Sequence, residues 1–219
     1  MRFQLKVLLP LLALIVSGCV GGPKRSDYTQ LRTEAPRSIL VVPVINKSVD
    51  VNAPDYFLAT ISQSLGERGY YVFPVNMVKS VMSEDGLSDA NLVHQGDPSR
   101  LGDMFGADSI MYISIERWDA RYAILSTTVT VDLEYTLKSA HTGETLWKNE
   151  QAIVYTPQQN NNAGLAGLIA NAVSAAITKA APNYIPLATQ ANKQAIFTKH
   201  TGLPAGPYDG LFGKDTNDF

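Results

Sequence analysis

Between Thr128 and Lys138 apolar and polar residues alternate without a break. Val129, Val131, Leu133, Tyr135 and Leu137 fall on one side, and Thr128, Thr130, Asp132, Glu134, Thr136 and Lys138 on the other. A period of two places successive side chains on opposite faces of a strand, so this stretch belongs to a sheet with one face buried and one in water. One-sided sheets of this kind are antiparallel. Ala140-His141-Thr142-Gly143 follows as the turn, with Gly143 supplying the positive φ of a bulged hairpin, and Thr145 to Tyr155 returns as the partner strand.

A strand of the opposite kind comes earlier. Ser38-Ile39-Leu40-Val41-Val42-Pro43-Val44 is continuously apolar after its first residue, as in a parallel strand covered on both faces. Pro43 cannot donate to a ladder, so pairing must end or meet an edge near it. Ala53 to Gly69 reads as a helix, with Pro54 at its first turn, Phe57, Ile61 and Leu65 on one face and Gly69 as a left-handed stop. Tyr70 to Pro74 is then a second strand, joined to the first by a right-handed parallel crossover. Met77 to Met82 and Ser99 to Phe105 read as short helices, residues 86–98 as irregular, Asp108 to Trp118 as a strand and Ile185 to Lys199 as a helix. The expected fold is therefore α/β: a mixed sheet with a parallel βαβ start and an antiparallel C-terminal hairpin, with helices packed on the sheet.

Gly164 to Ala181 forms an Ala-rich helix on this reading, with small residues spaced by four at Gly167, Asn171 and Ala175 and at Ala172, Ala176 and Ala180. Such a ridge suits packing on the sheet or on a second protomer, and its interrupted apolar content argues less well for a membrane span. Residues 38–200 make one domain, and 201–219, rich in Gly and Pro, an irregular tail.

The amino terminus gives an address. Arg2 and Lys6 precede ten largely apolar residues, Val7 to Val16, too few to span a hydrocarbon core of about 30 Å as a helix. Leu14-Ile15-Val16-Ser17-Gly18-Cys19 ends this run, and the whole has the form of a signal peptide over residues 1–18. The stretch resembles the lipobox of bacterial lipoproteins, in which the cysteine receives a diacylglycerol thioether, the chain is cut before it and the new amine is acylated. Cys19 is thus the expected lipidation site, carrying palmitate-type chains, and several acyl chains together hold a protein to a bilayer where one alone binds reversibly. Val20 stands where an Asp would retain an enterobacterial lipoprotein in the inner membrane, which favours the outer membrane. Residues 19–37, polar and with Gly and Pro, are expected to form a flexible tether.

Charge and cysteine usage exclude several classes. Loss of Arg2 and Lys6 with the signal leaves 16 basic against 20 acidic residues, which disfavours nucleic acid as a partner. Cys19 is the single cysteine, so a lipidated chain has no disulfide. Three scattered histidines give no metal-ligand spacing, and no cofactor motif is present. In an open α/β sheet a ligand sits beyond the carboxyl ends of the parallel strands, where the loop Ile45 to Asn52 offers Asn46, Lys47 and Ser48, with Asp50 beside them, as a candidate partner or ligand loop. Asp132 and Glu134 share a strand face but read as solvated. His94, His141 and His200 read as surface residues with no nucleophile motif beside them, and Trp118 and Trp147 as core.

Several stretches together carry a resemblance. Val42-Pro43-Val44-Ile45-Asn46-Lys47-Ser48, Glu67-Arg68-Gly69-Tyr70-Tyr71-Val72-Phe73-Pro74-Val75, Phe105-Gly106-Ala107-Asp108, Thr142-Gly143-Glu144-Thr145-Leu146-Trp147, Gly206-Pro207-Tyr208 and Gly213-Lys214-Asp215 are similar, in this order, to a bacterial lipoprotein family of unassigned activity that includes a neisserial genome-derived vaccine antigen. The resemblance covers most of residues 38–215. It implies a fold similar to the amino-terminal domain of TolB and to curli-secretion and Pel-export lipoproteins, which assemble into oligomers. The expectation is a non-enzymatic lipoprotein anchored in the outer membrane and facing the periplasm or cell surface, acting as a scaffold or as an assembly or secretion accessory. Its expected partners are the membrane through its lipid, other envelope lipoproteins or secretion components, and further copies of itself. The alternative is a periplasmic ligand-binding or hydrolytic domain that uses the loop after the first strand.

Overall fold

The computed structural model describes residues 25–123, 126–155 and 184–219. The lipobox with Cys19 and the expected helix Gly164 to Ala181 lie outside these residues. The described chain forms, in order, α1 (Thr29–Glu34), β1 (Ser38–Val41), β2 (Ile45–Asn46), α2 (Ala53–Glu67), β3 (Tyr71–Val72), α3 (Val75–Glu84), α4 (Ala90–Gln95), α5 (Pro98–Phe105), β4 (Ser109–Ala123), β5 (Ser126–Ser139), β6 (Thr145–Tyr155) and α6 (Ile185–Phe197).

The sheet order is β3-β1-β4-β5-β6, with β2 also paired to β4. β1 lies parallel to both β3 and β4, which explains why all four of its residues are buried. Ile39 and Val41 point into one core, Leu40 into the other. As Pro43 requires, the ladder with β4 lapses after Val41 and resumes at Ile45, so the four steps from Val41 to Ile45 stand opposite the three from Met111 to Ser114. β5 and β6 pair antiparallel as the hairpin reading expects, β4 adds antiparallel to the other side of β5, and Val129, Val131, Leu133, Tyr135 and Leu137 are all buried. Gly143 has φ +73° and donates its N–H to the Ser139 carbonyl at 3.1 Å, closing the hairpin where the sequence places it.

Helices cover the sheet unequally. α2 and α6 lie on one face, where Phe57, Ile61, Leu65, Leu187, Ala191 and Ile196 pack on the strands around Trp118 and Trp147. α3, α4 and α5 supply a smaller core on the other face, with Val78, Met82, Val93 and Leu101 over Leu40, Ile110 and Tyr112. Beyond Tyr112 that second face carries ion pairs: Lys47 with Glu116, Arg117 with Asp132 and Lys148 with Glu134. Among the described residues no helix is long and apolar enough to cross a membrane.

Two expectations are corrected and a third is extended. Residues 28–34, assigned to the tether, fold as α1 with Tyr28 and Leu31 in the core, and the Tyr28 hydroxyl donates to the Gly202 carbonyl at 2.8 Å. One buried face of a six-residue helix is too short to show a period. The region 86–98, read as irregular, contains α4, whose N-terminus is capped by the Asp89 carboxylate accepting from the Asn91 and Leu92 N–H groups. The tail has neither helix nor strand, as expected, yet it is pinned to the domain. Arg68 Nε donates to the Leu203 carbonyl at 2.6 Å and its Nη2 meets Asp215 Oδ2 at 3.0 Å, while Gly206 donates to the Arg68 carbonyl. Gly206 must be glycine here because a Cβ would run into the Gly69 carbonyl oxygen.

Candidate functional site

The loop after β2 is built by its own polar groups. Asn46 Oδ1 accepts from the Ser48 N–H at 3.0 Å and from Ser48 Oγ at 2.7 Å, and Asn46 Nδ2 donates to the Asp50 carbonyl at 2.8 Å. The Asp50 N–H in turn donates to Ser48 Oγ, and Asp50 Oδ1 accepts from the Asn52 N–H at 2.9 Å, leading into α2. Asn and Ser stabilise such turns because their short side chains reach backbone groups two residues on. The result is a closed hydrogen-bonded loop in which Asn46 is the central member.

Lys47 points elsewhere. Its Nζ lies 2.7 and 3.0 Å from the two carboxylate oxygens of Glu116, which also accepts from Ser114 Oγ at 2.7 Å. These bonds, that from Lys47 first, hold the Glu116 carboxyl below its usual range. The structure therefore keeps Asn46 and Ser48 together but turns Lys47 onto the open sheet face. No set of polar groups converges from this loop on a common point. What it presents instead is apolar: Val49 is 86% exposed and Val51 82%. Behind it stands an aromatic group from α2, β4 and the residue before α6. Trp118 packs edge-on against Phe57 and Tyr184, with centroids 5.4 and 5.7 Å apart, and Tyr56 lies 5.9 Å from Tyr184.

The other candidates fall apart in space. Asp132 and Glu134 do share a face, but each has its own cation, Arg117 and Lys148. His94 is not a surface residue: it sits on α4, with Nε2 3.0 Å from the Pro43 carbonyl and its ring edge-on to Tyr112 at 5.0 Å. Burial pushes its pKa below the ordinary value, so the neutral ring with Nε2 as donor fits the carbonyl. His200 receives Arg25, whose Nε lies 3.3 Å from Nδ1. Trp147 Nε1 donates to the Thr201 and Gly202 carbonyls, a core role as expected. Among the described residues no group of three His, Cys, Asp or Glu side chains gathers to hold a metal.

The sequence reading missed where the amino-terminal segment docks. Ser26 donates its N–H to the His200 carbonyl at 2.8 Å, Arg25 Nη2 donates to the Asn217 carbonyl, and Asp27 Oδ1 accepts from the Thr29 N–H and hydroxyl. This contact lies beside β6, where Arg25 and Asp27 line a cleft of about 430 Å³ with Trp147, Asn149 and Thr201. Only Asp27, two residues before a Thr, carries a local signal for it.

Comparison with known proteins agrees with this architecture. The family described as "Putative lipoprotein GNA1162-like" matches residues 26–208. A curated relative from Neisseria meningitidis serogroup B, "Putative lipoprotein NMB1124/NMB1162", is 34% identical over 186 residues, covering 83% of this chain and 85% of the relative. The crystal structure of lipoprotein GNA1162 from Neisseria meningitidis is similar at 36% identity with a TM-score of 0.55, covering 65% of this chain and 98% of that one. A PelC dodecamer from Paraburkholderia phytofirmans is a more distant match, 12% identical with a TM-score of 0.41, over 76% of this chain and 94% of that one.

Proposed function

Because this chain belongs to the GNA1162-like lipoprotein family, we propose that it is a non-enzymatic scaffold or assembly component of the envelope, lipidated at Cys19 and anchored in the outer membrane toward the periplasm. One observation carries the reading. The loop in the natural ligand position of the sheet uses Asn46 and Ser48 to hold its own shape and turns two valines to solvent, an arrangement suited to protein contact rather than to bond making. A hydrolytic site needs an acid, a base or a nucleophile directed at one point, and the polar groups of this loop are directed at each other.

The docked amino terminus supports the anchoring half of the proposal. Arg25 is six residues beyond Cys19, and six extended residues span at most about 20 Å, so a lipid on Cys19 would hold the β6 edge of the domain close to the bilayer. The expected tether is correspondingly shorter than residues 19–37. Metabolic labelling with a clickable fatty acid, followed by density separation of the membranes, tests the address. The expected result is label on the wild type in the outer-membrane fraction and none on Cys19→Ala; label retained by the Ala variant would overturn it.

A further inference from the structure

On the sheet face opposite α2 and α6, the helices α4 and α5 and the turn after α3 enclose a groove of about 580 Å³. Val93 and Leu101, both buried, form its floor. Leu92, 63% exposed, and Met104, 44% exposed, stand at its sides, with Leu87 at one end. Met77 and Val81, also exposed, lie one turn apart on α3 and continue along the same helix to Asp85 at the groove margin. Exposed apolar side chains that include methionine adapt to a partner surface.

Charge says what kind of partner fits. Residues 75–105 contain five acids, Glu84, Asp85, Asp89, Asp97 and Asp103, against two bases, Lys79 and Arg100, a net charge of −3. Without residues 1–18 the chain has 16 basic and 20 acidic residues, a net charge of −4, so the remainder carries only −1. Most of the negative charge thus falls in the segment that builds this groove, with Asp85 and Asp97 in the lining itself. Lys79 is already paired with Asp55, which leaves Arg100 as the cation lining it. An anionic lipid surface would be repelled.

We propose that this groove is a docking site for an amphipathic helix of an envelope protein, its apolar side chains seated between Leu92 and Met104 and its Lys or Arg flanks set against the acidic margin. The mode is helix-in-groove recognition, with apolar anchors supplying affinity and charge supplying orientation and encounter rate. The proposal rests on the reading of the protein as a non-enzymatic partner-binding lipoprotein and adds the chemistry of the partner.

The test uses the full-length lipidated protein in phosphatidylcholine vesicles, with empty vesicles as the blank. The probe is a fluorescent 18-residue helix of Leu and Lys, and its comparison is the same peptide with every Leu replaced by Ser. Anisotropy should show binding of the Leu/Lys peptide that weakens with salt. It should weaken at least tenfold more in Leu92→Lys/Met104→Lys and remain unchanged in Val154→Lys, an exposed substitution on β6. Circular dichroism confirms that each variant is folded. Equal binding of the Ser peptide would reduce the site to undirected charge attraction, and undiminished binding by the double variant, or none by the wild type, would overturn the proposal. Self-association of the wild type that is abolished by Leu92→Lys/Met104→Lys, without peptide binding, would assign the groove to a second copy instead. None of these failures touches the lipid address, which the labelling experiment decides separately.

Discussion

Asp215→Ala should destabilise the domain more than any substitution of a surface charge. The Arg68 and Asp215 side chains are 7% and 5% exposed, and Asp215 Oδ2 accepts from both Arg68 Nη2 at 3.0 Å and the Ala205 N–H at 2.7 Å. The guanidinium also lies over the Phe219 ring, 4.4 Å from its centroid. Removing the carboxylate leaves a buried cation without its counter-charge and a backbone donor without its acceptor. Breaking one side of such a pair costs about 3–5 kcal/mol. At roughly 2–4 °C per kcal/mol for a domain of this size, Tm should fall by about 6–20 °C. Removing both charges together, in Arg68→Met/Asp215→Ala, should recover part of this loss because no unpaired charge remains. Asp218→Ala, which breaks the exposed pair with Lys199, should cost no more than about 1 kcal/mol. Thermal melts followed by circular dichroism compare the four proteins. A Tm for Asp215→Ala no lower than that for Asp218→Ala, or a double variant less stable than Asp215→Ala, would refute the reasoning.

Gly143→Val should destabilise by about 1–3 kcal/mol in denaturant titrations through its left-handed φ alone, since a Cβ there would come no nearer than 4.0 Å to Pro98, while His141→Ala in the same exposed turn should be nearly silent. His94 should make the fold sensitive to mild acid. Burial lowers its folded pKa, so the unfolded chain binds the extra proton first; stability is full above the unfolded value of about 6.5 and falls as pH drops below it, a decline that denaturant melts should find flattened in His94→Gln. Asn46→Ala removes acceptor and donor from the loop at once and should cost about 1–2 kcal/mol, while leaving amide exchange in β4 and β5 unchanged and raising it between residues 48 and 52.

What could be read in advance follows from the length scale of each signal. The buried run Ile39–Val42 and the alternation from Val129 to Leu137 each fill a strand, so their period alone assigned them to a two-sided and a one-sided part of one sheet. Gly143 and Gly69, both at positive φ, marked a turn and a helix end because few other residues tolerate that backbone. α1 and α4 escaped because six residues hold fewer than two turns, and their anchors, Tyr28, Leu31 and Val93, have meaning only through partners far along the chain. The same holds for Arg68, whose partners Leu203 and Asp215 lie more than 130 residues away. Asn46, Lys47 and Ser48 could be placed by the rule for parallel strand ends. That Asn46 and Ser48 close the loop on itself while Lys47 leaves for Glu116 depends on side-chain direction, which the sequence does not contain.

The claim that the loop end of this lipoprotein makes protein contacts is tested most directly by placing a photocrosslinking amino acid at Val49, and separately at Val51, in the full-length protein in intact cells. The adducts are then identified by mass spectrometry and compared with the same probe at exposed Tyr208 on the tail. The account predicts one or a few discrete protein adducts from positions 49 and 51 that are absent from position 208 and are lost when Cys19→Ala removes the anchor. No adduct from either loop position, or the same adducts from all three, would contradict it.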